Sequence, residues 1–145
     1  MPKKYLFPLT LLSILMFLWQ CSSEPSPREA VLDFLEAVHN SDTTTIMSVA
    51  DLDKMAQEKL SNLPAEQKEK LIPVMRNNLL SNLVDNGATR IWWENALNVV
   101  AGEKIWKDTA EVEVTFIDQK SGIKHYTKMK LYFKDNRWRV YYFED

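Results

Sequence analysis

The chain has 145 residues, 46% of them hydrophobic and 26% charged, with a formal net charge of −2. That length accommodates one domain with an ordinary core, and that balance excludes a disordered chain. Lys3 and Lys4 stand in an N-terminal leader, so the remainder carries sixteen basic against twenty acidic residues, a balance that argues against a nucleic-acid partner.

The leader comes first. Lys3 and Lys4 form a positive n-region, followed by an apolar stretch from Tyr5 to Trp19 broken only by Pro8, Thr10 and Ser13. A bilayer span needs about 20 apolar residues, so this run reads as a secretory signal over residues 1–20 rather than a permanent anchor. It ends at Leu18-Trp19-Gln20-Cys21, and Cys21 is the only cysteine. One thiol makes no internal disulfide, and with two histidines it makes no zinc set. The segment resembles the lipobox of bacterial lipoproteins, in which Leu stands three before a cysteine that becomes the first mature residue. Trp19 and Gln20 depart from the small residues usual there. The resemblance implies lipid attachment at Cys21, as a diacylglyceryl thioether with a palmitate-type acyl chain on the new amino terminus. It also implies a place in the bacterial cell envelope, with Ser22 in the next position fitting onward sorting to the outer membrane. The alternative is ordinary cleavage after Ser23, which would release a soluble secreted module. Residues 21–27 are polar and proline-bearing, as a tether should be, and residues 28–145 form the expected single domain.

In that domain Ser26, Pro27 and Glu29 make a helix start with a capping box. Val31, Phe34, Leu35 and Val38 then fall on one helical stripe. Asn40 and Ser41 end the helix, and Asp42 caps a short second one carrying Ile46, Met47 and Val49. Leu52, Met55, Ala56, Leu60 and Leu63 mark a third stripe, stopped by Pro64. A longer helical region is predicted over 65–86, with Pro73 either kinking it or starting a new segment, and with Asn86-Gly87 as its C-cap. Arg90 to Trp93 reads as a first strand, and the stretch from Glu94 to Lys107 admits no firm assignment. From Ala110 the period is two: Ala110, Val112, Val114 and Phe116 lie on one face. After a turn at 119–122, Thr127, Met129, Leu131 and Phe133 point inward, and Lys124, Tyr126, Lys128, Lys130, Tyr132 and Lys134 outward. Asp135-Asn136 turns the chain again, and Trp138, Val140 and Tyr142 close the sheet. Helices followed by an antiparallel meander predict an α+β fold with the N-terminal helices packed on one face of the sheet.

The helix opening Ser26-Pro27-Arg28-Glu29-Ala30-Val31, the Asn40-Ser41-Asp42 junction and the closing hairpin Asp135-Asn136-Arg137-Trp138-Arg139-Val140 together resemble the nuclear transport factor 2-like superfamily. More narrowly, they resemble its small bacterial lipoproteins. That resemblance implies a cone of curved antiparallel sheet wrapped on helices, often with a pocket inside. The superfamily holds isomerases and dehydratases beside binding adaptors, so fold alone does not name an activity.

Catalytic members place an acid or base in the cone, whereas here the inward positions of the first helix are all apolar. His125, in phase with Thr127 and Met129, is the ionisable residue expected on the inward sheet face. With a carboxylate or Tyr142 as partner it could act as a general base in a pocket enzyme of the isomerase or dehydratase type. Trp92 and Trp93 offer rings to an apolar ligand or a partner, one expected in the core and one exposed. The Lys-Tyr stripe from Lys124 to Lys134 could meet anionic headgroups or an acidic partner, but alternating charge is also what a solvated strand face looks like. The three glycines are isolated, and no phosphate loop, nucleophile elbow or metal motif is present, so no cofactor and no metal are expected. The sequence therefore leads to a non-enzymatic envelope lipoprotein, held to the membrane by acyl chains, whose domain binds an envelope protein or a small apolar ligand.

Overall fold

The structure is a computed structural model that describes residues 25–144. The leader, Cys21 and the first residues of the tether lie outside the described residues. Helix α1 (Pro27–His39) starts where the capping box predicts: Ser26 Oγ accepts from the Glu29 N–H at 3.1 Å, and a Glu29 carboxylate oxygen accepts from the Ser26 N–H at 3.3 Å. Two N–H groups that the first turn leaves unpaired are thereby satisfied. Its stripe of Val31, Phe34, Leu35 and Val38 is buried, each side chain contributing about 1.5–3 kcal/mol on leaving water.

Two short helices follow, each held at its start by an aspartate. Asp42 accepts from the Thr45 N–H at 3.1 Å ahead of α2 (Thr43–Val49), and Asp51 accepts from the Lys54 N–H at 2.9 Å ahead of α3 (Leu52–Lys59). Helix α4 (Ala65–Leu83) runs through Pro73 without being divided. It buries only Leu79 and Leu83, while Leu71 and Val74 remain exposed.

The chain between α4 and the sheet departs from the sequence reading. Gly87 is not a left-handed C-cap: α4 stops at Leu83, Asp85 takes the positive φ of 50°, and Gly87 sits at φ −62° at the start of a further helix. Glycine is needed there for closeness, because a Cβ would run into the backbone of Ser81 and Asn82. Arg90–Trp93 is not a strand but the body of that helix, α5 (Ala88–Glu94). Tertiary packing overrides the β-preference of Ile91-Trp92-Trp93: a helix drives Trp93 edge-on into Phe34, with ring centroids 5.9 Å apart.

Four antiparallel strands form a meander in the order β1 (Ala96–Trp106), β2 (Thr109–Asp118), β3 (Lys124–Lys134) and β4 (Arg137–Tyr142). The β3–β4 turn has Asp135 at φ 52° and Asn136 at φ 60°, the two positive values that a two-residue hairpin matched to strand twist requires. The fold is α+β, with the helices on one sheet face. Val112, Val114, Phe116, Met129, Leu131, Trp138 and Val140 share a single core with Phe34 and Leu35.

Register shifts between Val100 and Glu103 and between Lys130 and Leu131 bend the sheet, and each moves a residue off the alternating pattern. The first places Glu103 opposite inward Val112, so His125 is not alone among ionisable residues on that face. A Glu103 carboxylate oxygen accepts from the Arg28 N–H at 3.2 Å. The second shift pairs Tyr142 with outward Lys130 and leaves Phe143 to fill the core instead.

Candidate functional site

The residues singled out from sequence divide between core and rim. Trp93 is core: it stacks on Phe116 at 5.0 Å and meets Phe143 at 5.3 Å. With Phe34, these rings fill the interior that a hollow cone would leave open. Thr127 is the one polar side chain buried among the described residues, and it is spoken for. Its hydroxyl and the Glu144 backbone bond reciprocally at 3.2 Å, tying the C-terminal segment to β3.

Trp92, one helical step from Trp93, turns outward to the rim. Its ring lies 5.1 Å from Phe116 and edge-on to His125 at 5.2 Å. His125 stands opposite Phe116 in the β2–β3 register and is exposed. The adjoining turn is held by Asp118, whose Oδ1 accepts from the N–H groups of Lys120 (3.0 Å) and Ser121 (2.6 Å) and from the Ser121 hydroxyl (2.8 Å). Those bonds, the Ser121 N–H first, pull the Asp118 carboxyl below its ordinary range. Trp92, Phe116, His125, Tyr126 and Thr127 line a half-open cleft of about 540 Å³, together with Lys124 and Glu144.

Trp92 and His125 are thus brought together, and Tyr142 is not. Tyr142 lies on the other sheet face, its ring 4.8 Å from Lys130 Nζ, because the register shift turned it outward. No hydrogen bond or ion pair among the described residues orients the His125 imidazole, whereas a general base needs an orienting partner. What the cleft can do is cover an apolar group with aromatic faces beside one cationic and one carboxylate side chain in its lining. The lysine stripe behaves as a solvated face. Lys128 meets Glu111 at 3.4 Å, and Lys130 and Lys128 sit opposite Glu111 and Glu113 in register.

A polar cluster that the sequence reading missed sits at the β4 edge. The Tyr132 hydroxyl donates to Asp51 Oδ2 at 2.6 Å, the Asp51 N–H donates to the Val140 carbonyl at 2.8 Å, and Lys54 Nζ lies 4.4 Å and 4.2 Å from the Tyr132 and Tyr141 ring centres. Burial, then the hydrogen bond to Asp51, pushes the Tyr132 phenol up to about 12. It stays a proton donor throughout the physiological range and works as a clasp. Asp51 and Tyr132 are 81 positions apart, and no local pattern announces such a pair. Among the described residues no group of three His, Cys, Asp or Glu side chains is placed to hold a metal, and no helix is long and apolar enough to cross a membrane.

No protein-family model matches the sequence, and no curated protein matches it significantly. Solved structures do. With a phospholipid-binding protein from Ralstonia solanacearum, solved with a phospholipid bound, the chain shares 15% identity over 81% of its own length and 74% of that protein's, at a TM-score of 0.50. With a structure from Campylobacter jejuni named as an NTF2-like transpeptidase it shares 18% identity over 79% of its length and 97% of that chain, at a TM-score of 0.47. At such identities the likeness is one of fold.

Proposed function

We propose that this chain is an exported lipoprotein of the bacterial envelope, anchored through Cys21, whose nuclear transport factor 2-like domain binds a small apolar ligand without catalysis. The observation that carries the binding reading is the split between a filled interior and an aromatic rim. Phe34, Trp93, Phe116 and Phe143 occupy the space where a reaction chamber would be. The Trp92–His125 cleft of about 540 Å³ falls within the range usual for small-molecule sites, about 300–1,000 Å³. The isomerase or dehydratase alternative would need a partner for His125, and Tyr142 is turned away from it. The anchor is supported by the apolar leader that closes on the chain's one cysteine and by the polar residues that follow. Two or more acyl chains make such attachment stable where one is marginal.

Phospholipid is the first ligand to test. Full-length protein purified in detergent should carry extractable lipid detectable by mass spectrometry, and its tryptophan fluorescence should respond to added phospholipid. In a protein whose exposed β1 tryptophan is silenced by Trp106→Phe, Trp92→Ala should remove that response while the protein stays folded. A Trp92→Ala protein that binds as tightly as wild type would move the site elsewhere. Loss of activity on some substrate in a folded His125→Ala variant would restore the enzyme reading. For the anchor, the mass of the mature N-terminus decides: an unmodified chain beginning at Glu24 would replace the lipoprotein with the secreted module.

A further inference from the structure

We infer that the end of the sheet carrying the β1–β2 turn is held against the bilayer, with Ile105 and Trp106 seated among the lipid headgroups. The inference rests on the proposed lipidation of Cys21, and the length of the tether turns that anchor into an orientation. From Cys21 to Pro25 there are four residue steps, which reach about 14 Å when fully extended. The tether has no further slack, because from Pro25 onward the chain is packed on the domain. The Pro25 carbonyl accepts from Trp138 Nε1 at 3.0 Å, Pro27 is buried, and the Arg28 N–H is bound to Glu103. An acylated Cys21 has its glyceryl group at the membrane interface, so Pro25 stays at or just above the headgroup layer.

The surface around Pro25 suits that position. Ile105 and Pro25 line the same open cleft beside Trp138. Ile105 is 51% exposed and Trp106 53% exposed at the tip of β1, and exposed Lys104 and Lys107 flank them. An indole at the water–lipid boundary, with lysines reaching for phosphates, is the arrangement that interfaces favour. A second exposed apolar group, Leu97, Val99 and Tyr126, lies at the other end of the sheet. It is about 20–30 Å away along β1 at roughly 3.3 Å per residue, beyond what the tether permits.

The experiment uses the full-length lipidated protein, reconstituted in vesicles of phosphatidylethanolamine and phosphatidylglycerol that contain a doxyl-labelled phospholipid quencher. A thiol-reactive fluorophore is placed at Lys107→Cys in the β1–β2 turn or at Lys120→Cys in the β2–β3 turn; acylated Cys21 has no free thiol to compete. Quenching at position 107 should exceed that at 120 several-fold, and adding Ile105→Ser with Trp106→Ser should lower it. Equal quenching at the two sites, or stronger quenching at 120, overturns the orientation while co-flotation with the vesicles and an acylated N-terminus leave the anchor standing. Unchanged quenching at 107 in the double variant overturns the seating of Ile105 and Trp106. A mature N-terminus without acyl chains overturns both readings together.

Discussion

The two edges of the sheet are treated in opposite ways. At the β4 edge the chain doubles back: Ala50 bridges Val140 in parallel, Asp51 hydrogen-bonds the Val140 carbonyl, Tyr132 donates to Asp51, and Lys54 lies over two tyrosine rings. Among the described residues the β1 edge has a strand on one side only and leaves Leu97, Val99, Ile105 and Trp106 half exposed. An uncovered apolar strand is a liability that folds ordinarily blunt. Keeping one edge clasped and the other bare teaches where this molecule spends its stability and where it presents surface. Arg28 touches the bare side, its guanidinium donating to the Val100 carbonyl at 3.2 Å where β1 is bulged, but it does not cover the apolar side chains.

The contrast presumes that both edges hang on one core, and Phe34 is the place to break that presumption. It contacts the rings of Trp93 and Phe143 and is fully buried. Phe34→Ala should cost about 3–5 kcal/mol in urea or thermal unfolding, as for other buried aromatics. A loss below about 1 kcal/mol would mean that the helices and sheet do not share a core.

At the clasped edge, Asp51→Ala removes a helix cap and the acceptor for Tyr132 in one stroke, with an expected loss of about 2 kcal/mol. Tyr132→Phe removes the hydroxyl alone and should cost about 1 kcal/mol. The difference between wild type and Tyr132→Phe also carries a pH signature. The folded phenol titrates at about 12 against an ordinary 10.0, so folding favours its neutral form. That stabilisation is complete below pH 10 and is lost as pH rises through the folded value. Wild type should therefore lose its advantage over Tyr132→Phe as pH rises from 10 to 12; a gap that stays constant across this window would mean the clasp is not formed.

Much of this architecture is written locally. The capping box at Ser26, the stripe through Phe34, the Asp42 cap and the alternation along β2 and β3 are short-range patterns, and each appears where its residues put it. What escaped depends on longer range. Ile91-Trp92-Trp93 has the composition of a strand, and its helix is decided by the burial of Trp93 on Phe34 and Phe116. A period of two cannot foresee a one-residue register shift, so Tyr142 and Phe143 exchange faces and Glu103 turns inward. Of the candidate site, the nearness of Trp92 and His125 required α5 to be laid beside the β2–β3 hairpin, which no spacing in the sequence encodes.

The smallest expected effect is at the bare edge, and it sharpens the contrast most. If Ile105 and Trp106 are exposed for contact rather than for folding, replacing both by serine removes little that the folded state had gained. Surface substitutions away from caps, cores and charge networks stay within about 0.5 kcal/mol, and serine is well tolerated on an edge strand. Unfolding of the Ile105→Ser, Trp106→Ser protein in detergent should thus match wild type within that margin. A burial mechanism would give a different result, because a tryptophan truncated in a packed site costs about 3–5 kcal/mol. Such a loss would place these side chains in the folding core, and the bare edge would then be no more available for contact than the clasped one.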